Sequence, residues 1–350
     1  MDKKLSITDL KSRTHRILEA IILAYAESGL PIGSEFLWQN HQFKVSPATI
    51  RNDMVALEEQ GLITHPHTSA GRVPTDRGYR YYVDLLMEPR RLHPEEETLI
   101  DSVCRLECDE PAQFLEESVH VLSGLTREAG VVLVPKLAQG SFRRLELIPM
   151  DQREIVGVLI ASEGMVKHGL MELEESIDSE ELERIERFLN QELAGMPLSQ
   201  VPPYLERTLL EATSAFFHLY KRAVDLLRLG PFFQEEPSVI LEGASWILEA
   251  PEFQDMQRTR RLIKALEEKQ ELEEILRRDL SAEEVKLHIG SENRGTSLTD
   301  CTIVAAPYRL RGGVMGAIGV IGPTRMNYPR VTALVRRMSQ AVTRTFQGRE

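Results

Sequence analysis

Apolar positions in the first sixty residues recur at the spacing of three short α-helices. The first helix carries a stripe that repeats at three and four residues: Leu18, Ile21, Ile22 and Tyr25. A second, shorter run has Ser34 as its expected N-cap. The third helix begins at Ser46, followed by Pro47, because proline has no N–H to lose in a first helical turn and its φ is already helical. Gly61 predicts the end of this helix, since a left-handed residue often terminates one.

A turn-rich segment follows the third helix. Residues 62–64 and 72–74 predict two short strands around a loop of turn-forming residues. Thr75 then caps a predicted fourth helix, and the stretch 89–94, with a proline at each end, is typical of an exposed linker. Helices followed by a hairpin in this order predict a winged helix-turn-helix domain over residues 1–90.

Strand and helix patterns are arranged differently beyond that domain. Extended segments cluster within residues 131–173 and again within 285–321, and the stretch between the clusters is mostly helical. This pattern predicts an α+β body in which a sheet domain is interrupted by an insertion. The expected boundaries are 95–175 and 284–350 for the sheet domain and 176–283 for the mainly helical insertion.

The composition indicates which class of protein this is. The 350 residues are 42% hydrophobic, yet no apolar run approaches the roughly 18 residues that a membrane span needs. No charged and then apolar leader opens the chain. The 3 cysteines are too few and too scattered for a disulfide framework, which indicates a reducing compartment. We therefore expect a multi-domain cytoplasmic protein without a membrane partner.

The net charge of −12 conceals an uneven distribution. Residues 1–91 hold 12 basic and 11 acidic side chains, whereas the rest of the chain holds 30 and 43. Because salt screens charges that lie more than about 10 Å apart, an acidic body does not prevent a nearly neutral N-terminal domain from contacting phosphate. The whole-chain charge therefore does not exclude a nucleic-acid partner.

Side chains suited to DNA gather at the start of the third helix. A winged helix-turn-helix lays this helix in the major groove, where each base pair presents its own pattern of donors and acceptors. Arg51 can bond guanine or phosphate, Asn52 can pair with adenine, and Thr49 can bond phosphate or contact a thymine methyl. Ser46 and Ala48 are small enough for close approach, and the first backbone N–H groups favour phosphate. The hairpin and fourth helix add the phosphate-seeking side chains Thr68, Ser69, Arg72, Arg77 and Arg80.

A competing interpretation is that the domain only binds protein, with Arg51 and Asp53 in surface ion pairs. The phosphate-seeking side chains gathered in the hairpin and the fourth helix favour DNA instead. DNA reading also predicts a homodimer, because two helices related by a two-fold axis read a palindrome. The candidate dimer interface is the apolar helix that contains Phe216, Phe217 and Tyr220. The alternative is that this helix is an ordinary part of the core.

No other motif predicts a chemical site. Cys104 and Cys108 fall at i and i+4, with His93 and His120 in the same region, but the paired knuckles of a zinc site are absent. The glycines within 312–319 lack the Lys-Ser or Lys-Thr of a phosphate loop. No nucleophile elbow, carboxylate pair or Cys–His arrangement can be assembled. We expect no metal, no cofactor and no enzymatic activity.

Three segments resemble the HrcA family of bacterial heat-inducible transcription repressors. The first contains SPATIRNDM at residues 46–54, and the second is the hairpin sequence PHTSAGRVPTDRGYRYYV at residues 66–83. The third, GAIGVIGPTRMNY at residues 316–328, resembles the C-terminal segment of that family. The centre of the chain resembles the family more weakly.

The resemblance implies a homodimer that binds double-stranded operator DNA at an inverted repeat called CIRCE. It further implies that the protein represses chaperone operons until heat stress releases it, with a chaperonin as the modulator that keeps it active. For the body it implies a GAF-like domain interrupted by an inserted dimerisation domain. Because GAF-type domains often hold a small ligand, the alternative function is a metabolite-sensing winged-helix repressor.

Overall fold

The computed structural model of the chain contains an N-terminal head, a central domain built on one sheet, and a lobe inserted into that domain. The structure describes residues 12–41, 43–66, 71–105, 111–135, 140–151, 153–162, 166–173, 176–211, 214–229, 232, 239–282, 284–310 and 314–348. Within these ranges no helix is both long and apolar enough to cross a membrane.

The head has the predicted order of helices and hairpin. Its elements are α1 Ser12–Ser28, α2 Ser34–Asn40, α3 Pro47–Glu59, β1 Ile63–Thr64, β2 Val73–Pro74 and α4 Asp76–Leu85. The apolar stripes of α1 and α3 meet in one core, which includes Ile17, Ile21, Ile50 and Leu57. Because these positions repeat at helical spacing, α3 buries one face and leaves the other to solvent. In α1, by contrast, only Arg16, Glu27 and Ser28 are exposed among the described side chains.

Local signals fixed most of the helix ends in the head. Ser46 caps α3 by accepting a hydrogen bond from the Thr49 N–H at 3.3 Å, and Thr75 caps α4 through the Gly78 N–H at 3.1 Å. Gly61 follows α3 with a φ of +69°, as predicted. The predicted cap at Ser34 is wrong: Ser34 is the first residue of α2, and Gly33 is the N-cap without a side-chain hydrogen bond.

The body continues the chain after the head. In chain order its elements are α5 Pro94–Cys104, α6 Pro111–Thr126, β3 Ala129–Leu133, β4 Phe142–Pro149, β5 Glu154–Ala161, β6 Val166–Glu172, α7 Ser179–Glu192, α8 Val201–Glu211, α9 Ser214–Leu229, β7 Val239–Glu242, α10 Ala244–Leu248, α11 Met256–Glu268, α12 Gln270–Arg278, β8 Lys286–Ile289, β9 Cys301–Arg309, β10 Met315–Pro323 and α13 Tyr328–Gly348.

The central domain is an antiparallel sheet with the strand order β7-β3-β10-β9-β8. Alternate residues of its strands enter two different cores, because successive side chains of a strand point to opposite faces. Val132 and Val304 pack with α5, α6 and α13, and this core is continuous with that of the head. Val131 and Ile303 pack instead with α10, α11 and α12. The head and the central domain therefore share one apolar core.

The inserted lobe has its own sheet, with the antiparallel order β4-β5-β6. One face of this sheet packs against α7, α8 and α9 through a separate apolar core. The other face carries aliphatic side chains in solvent, among them Ile148 at 46%, Val166 at 56% and Leu170 at 54% exposure. The lobe thus has one buried and one exposed apolar face.

The boundaries of the insertion differ from the predicted ones. The chain leaves the central sheet after β3 and rejoins it at β7, so residues 142–172 belong to the inserted lobe and not to the sheet domain. Residues 239–282, which the sequence pattern places in the insertion, pack instead on the central sheet. Hydrophobic spacing identifies a strand but not its partner, and these partners lie far apart in sequence.

Candidate nucleic-acid interface

The solvent face of α3 gathers most of the predicted DNA-contacting side chains. Ile50, Met54 and Leu57 are buried, so the opposite side of the helix carries Ala48, Arg51, Asn52 and Val55. Residues three or four apart share a helix face, which places Ala48 beside Asn52 and Arg51 beside Val55. In the described part of the chain neither the Arg51 nor the Asn52 side chain has a hydrogen bond or ion pair, and both side chains are exposed. This face can therefore offer its donors to a ligand.

The beginning of α3 suits an anion. No acidic residue lies in the first turn. Pro47 has no N–H and the Thr49 N–H is bonded by Ser46, so Ala48 supplies the backbone N–H at this helix end. The hydroxyls of Ser46 and Thr49 lie 3.0 Å apart, and Ser46 remains exposed. The helix end thus combines a positive dipole with hydroxyl groups that can bond phosphate.

An ion pair holds α3 against α1. The Arg13 guanidinium donates to both carboxylate oxygens of Asp53, at 2.7 and 3.1 Å. The surface ion pair of the competing interpretation is therefore present for Asp53, but Arg51 takes no part in it. The contact fixes the helix that bears Arg51 without using Arg51 itself.

Backbone contacts anchor the hairpin, here called the wing. β1 and β2 pair antiparallel, and Arg72 exchanges two backbone hydrogen bonds with Ile32, at 2.8 and 2.9 Å. A Cβ at Gly71 would lie 2.6 Å from the Ile32 carbonyl, so only glycine permits this approach. The predicted contacts Thr68 and Ser69 lie outside the described residues.

The three arginines predicted to bind phosphate occupy different surroundings. Arg77 is exposed and lies beside Gly61, at the end of α3. Arg72 donates to Glu58 from Nε at 2.9 Å. Arg80 donates to the carboxylate of Glu292 at 2.7 and 2.6 Å and to the Leu287 carbonyl, and its pKa is raised mainly by the hydrogen bond to Glu292. Arg80 therefore joins the head to the central domain instead of facing outward with Arg77.

Glu58 is a residue that sequence reasoning missed. Its carboxylate accepts a bond from Arg72 and lies 2.5 Å from Nδ1 of His65. Burial raises the pKa of Glu58, but the bonds with His65 and Arg72 outweigh it and bring the pKa below its ordinary value. A glutamate at the end of a helix is common, so nothing in the sequence distinguished it from its neighbour Glu59.

The other predicted residues fall outside the head. In the described part of the chain no group of three His, Cys, Asp or Glu side chains could hold a metal ion, and Cys108 is not among the described residues. Burial raises the pKa of the Cys301 thiol to about 12, which suppresses the reactive thiolate. Of the predicted dimer residues, Phe217 is 47% exposed on α9, whereas the side chains of Phe216 and Tyr220 lie outside the described ones.

Comparison with known proteins separates a helix-turn-helix segment in the head from a larger C-terminal domain. Residues 112–332 match the family model for the HrcA protein C terminal domain, and residues 40–75 match a DeoR-like helix-turn-helix domain. The heat-inducible transcription repressor HrcA of Syntrophobacter fumaroxidans is 37% identical over 331 residues, which cover 94% of this chain and 95% of that protein. The repressor of the same name from Geobacter sulfurreducens is 36% identical over 342 residues, 98% of this chain and 100% of that one.

One solved structure has a similar fold. It is described as the crystal structure of a hypothetical protein at 2.2 Å resolution, and it superposes with a TM-score of 0.67. The alignment has 22% identity and covers 97% of this chain and 99% of the other. The likeness therefore extends over the head and the body together.

Proposed function

The chain belongs to the HrcA family of heat-inducible transcription repressors, and from this premise we propose that it represses heat-shock operons by placing α3 in the major groove of operator DNA. The observation that carries the proposal is the exposed face of α3. Arg51 and Asn52 stand there together beside the small Ala48, so the helix can approach base edges closely. A repressor role of this kind needs no catalysis.

The side chains divide into base-reading and phosphate-binding groups. Arg51 and Asn52 match the donor patterns that read guanine and adenine in the major groove. The hydroxyls of Ser46 and Thr49, together with the start of α3, bind phosphate and set the position of the helix. Arg77 supplies a further phosphate contact beside the end of α3, and Thr68 and Ser69 extend the contacts along the wing.

A homodimer completes the site, because one α3 helix spans only a few base pairs. The inserted lobe supports dimerisation, since the outer face of its sheet exposes Ile148, Val166 and Leu170 and its helix α9 exposes Phe217. Clustered apolar side chains on a surface often mark a protein–protein contact. Two heads related by a two-fold axis then bind an inverted repeat of the CIRCE type in front of chaperone operons. In this arrangement the interrupted central domain corresponds to the GAF-like domain, and the inserted lobe corresponds to the dimerisation domain.

The dimer is tested by placing a charge on each candidate surface. Leu170→Lys and Phe217→Lys are compared with the wild type by analytical ultracentrifugation. Monomers from Leu170→Lys identify the sheet face as the interface, and monomers from Phe217→Lys identify α9. Stable dimers from both variants would contradict a dimer through the inserted lobe.

The base-reading role is tested by Arg51→Ala. If Arg51 bonds a base, its loss costs about 1 to 3 kcal/mol of binding free energy on operator DNA and less on unrelated DNA. Fluorescence anisotropy on both duplexes at one fixed salt concentration measures the difference. Equal losses of affinity on the two duplexes would show that Arg51 contacts phosphate and not a base. No loss of affinity on either duplex would show that Arg51 and its face of α3 do not contact DNA.

Release is tested on the inverted repeat itself. DNase footprints across a temperature series, with and without chaperonin, are expected to show a protected palindrome that disappears on heating and is strengthened by chaperonin. If a specific metabolite instead changed affinity tenfold at constant temperature, about 1.4 kcal/mol of coupling, the metabolite-sensing function would replace the heat-shock one. Absence of any protected palindrome would contradict both.

A further inference from the structure

The two strands of the wing are tied to α3 by a single carboxylate. Glu58 projects from the end of α3, one of its oxygens lies 2.5 Å from His65 Nδ1, and the other accepts a hydrogen bond from Arg72 Nε at 2.9 Å and lies 2.8 Å from Arg72 Nη2. His65 directly follows β1 and Arg72 directly precedes β2. The carboxylate therefore bonds both places where the wing loop joins its strands.

We propose that Glu58 is a positioning residue for DNA binding, which fixes the wing relative to α3 so that both meet the duplex as one rigid surface. The inference rests on the proposed function and adds to it how α3 and the wing are held in a fixed relative position. It is supported by the contacts of one carboxylate with His65 and Arg72, the residues next to the two wing strands, and not by the identity of any DNA contact.

The contact has the properties of a strong positioning device. The side chains of Glu58 and Arg72 are only 24% and 23% exposed, so solvent and salt weaken their attraction less than that of a surface pair. The hydrogen bond from Arg72 Nε is charge-assisted, which makes it stronger than a bond between neutral groups. Because the backbone of Arg72 is separately bonded to Ile32, the carboxylate joins α3 to a point that is already anchored.

This arrangement changes the role expected for Arg72. The positive charge of Arg72 is matched by Glu58 within the head, so it adds little to the charge that a phosphate would meet. A phosphate contact contributes about 0.9 to the slope of log affinity against log salt concentration. A positioning residue lowers affinity when it is removed, but leaves that slope unchanged.

The sign of the effect at Glu58 is also informative. Removal of a carboxylate close to DNA strengthens binding by simple electrostatics, because like charges repel. Removal of a positioning carboxylate weakens binding, because the wing must then be ordered at each binding event. Glu59 is the matched control, since it is the next residue on the same helix and is exposed.

The experiment measures operator affinity against salt concentration for Glu58→Ala, Arg72→Ala, the double variant and Glu59→Ala. Each single change at the pair is expected to weaken binding about tenfold, since ordering a released side chain or loop costs on the order of the free energy of a tenfold change. The double variant is expected to lose no more than either single one. All salt slopes stay at the wild-type value, and Glu59→Ala binds as tightly as the wild type or more tightly.

Several outcomes would overturn the inference. A slope lowered by about one in Arg72→Ala would make Arg72 a phosphate contact. Unchanged or tighter binding by Glu58→Ala would show that Glu58 does not position the wing. If the double variant lost the sum of the two single losses, Glu58 and Arg72 would act independently. Circular dichroism checks that each variant is folded, and Glu58→Gln, which keeps the shape and removes the charge, replaces Glu58→Ala if that variant unfolds. Arg51→Ala is measured in parallel: if it also has no effect, the proposed function fails, and not the positioning role alone.

Discussion

The front and the back of the head use the same kinds of side chain in opposite ways. The front, formed by the exposed face of α3 together with Arg77, presents Arg51 to solvent, and neither arginine has an ion pair in the described part of the chain. The back packs on the central domain, where Arg80 is bonded to Glu292. There Arg325 from the body donates to Glu252 at 2.5 Å and to the Ala26 carbonyl at 3.1 Å. Arginine side chains therefore occur on both sides of the head: those at the front are exposed and available to a ligand, whereas those at the back are paired within the protein.

The two sides also differ in apolar contacts. At the back, Tyr79 and Tyr328 are 2% and 0% exposed, and their ring centroids lie 5.3 Å apart. Asp76 adds a bond from the Ser291 N–H at 2.8 Å. At the front the exposed residues of α3 include small and polar side chains that bury little area. The comparison teaches that the back of the head stabilises the fold, whereas the front is available for binding.

The largest difference between the sides is expected from Tyr79→Ala. Loss of this buried ring at the head–body junction is expected to lower the free energy of unfolding by about 3 to 5 kcal/mol, since a large cavity remains. Urea denaturation followed by circular dichroism measures the change. Tyr79→Phe is the control and is expected to cost little, because the buried hydroxyl has no hydrogen-bond partner in the described structure. Equal losses from both variants would contradict this account of the junction.

A smaller effect is expected from pH at the same junction. Burial raises the pKa of Glu128 to about 8, against an ordinary value of 4.5, although Arg325 nearby lowers it. Between these two pH values the folded state binds more protons than the unfolded state, so stability falls as pH rises through the window. Each pKa unit corresponds to about 1.4 kcal/mol, but Glu128 is only half-buried and solvent screens its charge, so the loss by pH 8 is expected to be roughly 1 to 3 kcal/mol.

Glu128→Gln tests this pH dependence. The amide stays neutral, so the stability of the variant is expected to fall less than that of the wild type between pH 5 and pH 8. Thermal unfolding at several pH values in this window measures both proteins. Parallel curves for the two would show that Glu128 does not titrate in this range, and no such difference is expected from the exposed residues at the front.

The smallest expected effect separates Arg77 from Arg80, which lie three residues apart on α4. Arg77→Ala is expected to reduce the salt slope of DNA binding by about one and to leave stability within about 0.5 kcal/mol. Arg80→Ala is expected to leave the slope unchanged and to lower stability by about 1 kcal/mol, since its pair is partly exposed. Salt titrations of DNA binding and urea denaturation on both variants measure the two properties. A lowered slope for Arg80→Ala would return that residue to the DNA side.

The sequence predicts structure correctly where the signal is local. The caps at Ser46 and Thr75 and the left-handed Gly61 depend on neighbours within three residues, and all three are as predicted. It failed where partners were distant. Glu292 lies 212 residues from Arg80, and no pattern near Arg80 indicated that bond. The strands β4 to β6 were recognised as strands, but they were assigned to the wrong sheet.

The amino-acid sequence by itself determined the helix-turn-helix, the wing and the family, because spacing, capping and motif residues act over short distances. Only the tertiary structure decided which arginines remain open, where the insertion begins, and how Glu58 connects the wing to α3. Those outcomes depend on which side chains come within hydrogen-bond distance after folding. A charged side chain is available to bind a ligand only when it does not already form an ion pair with another residue of the folded chain.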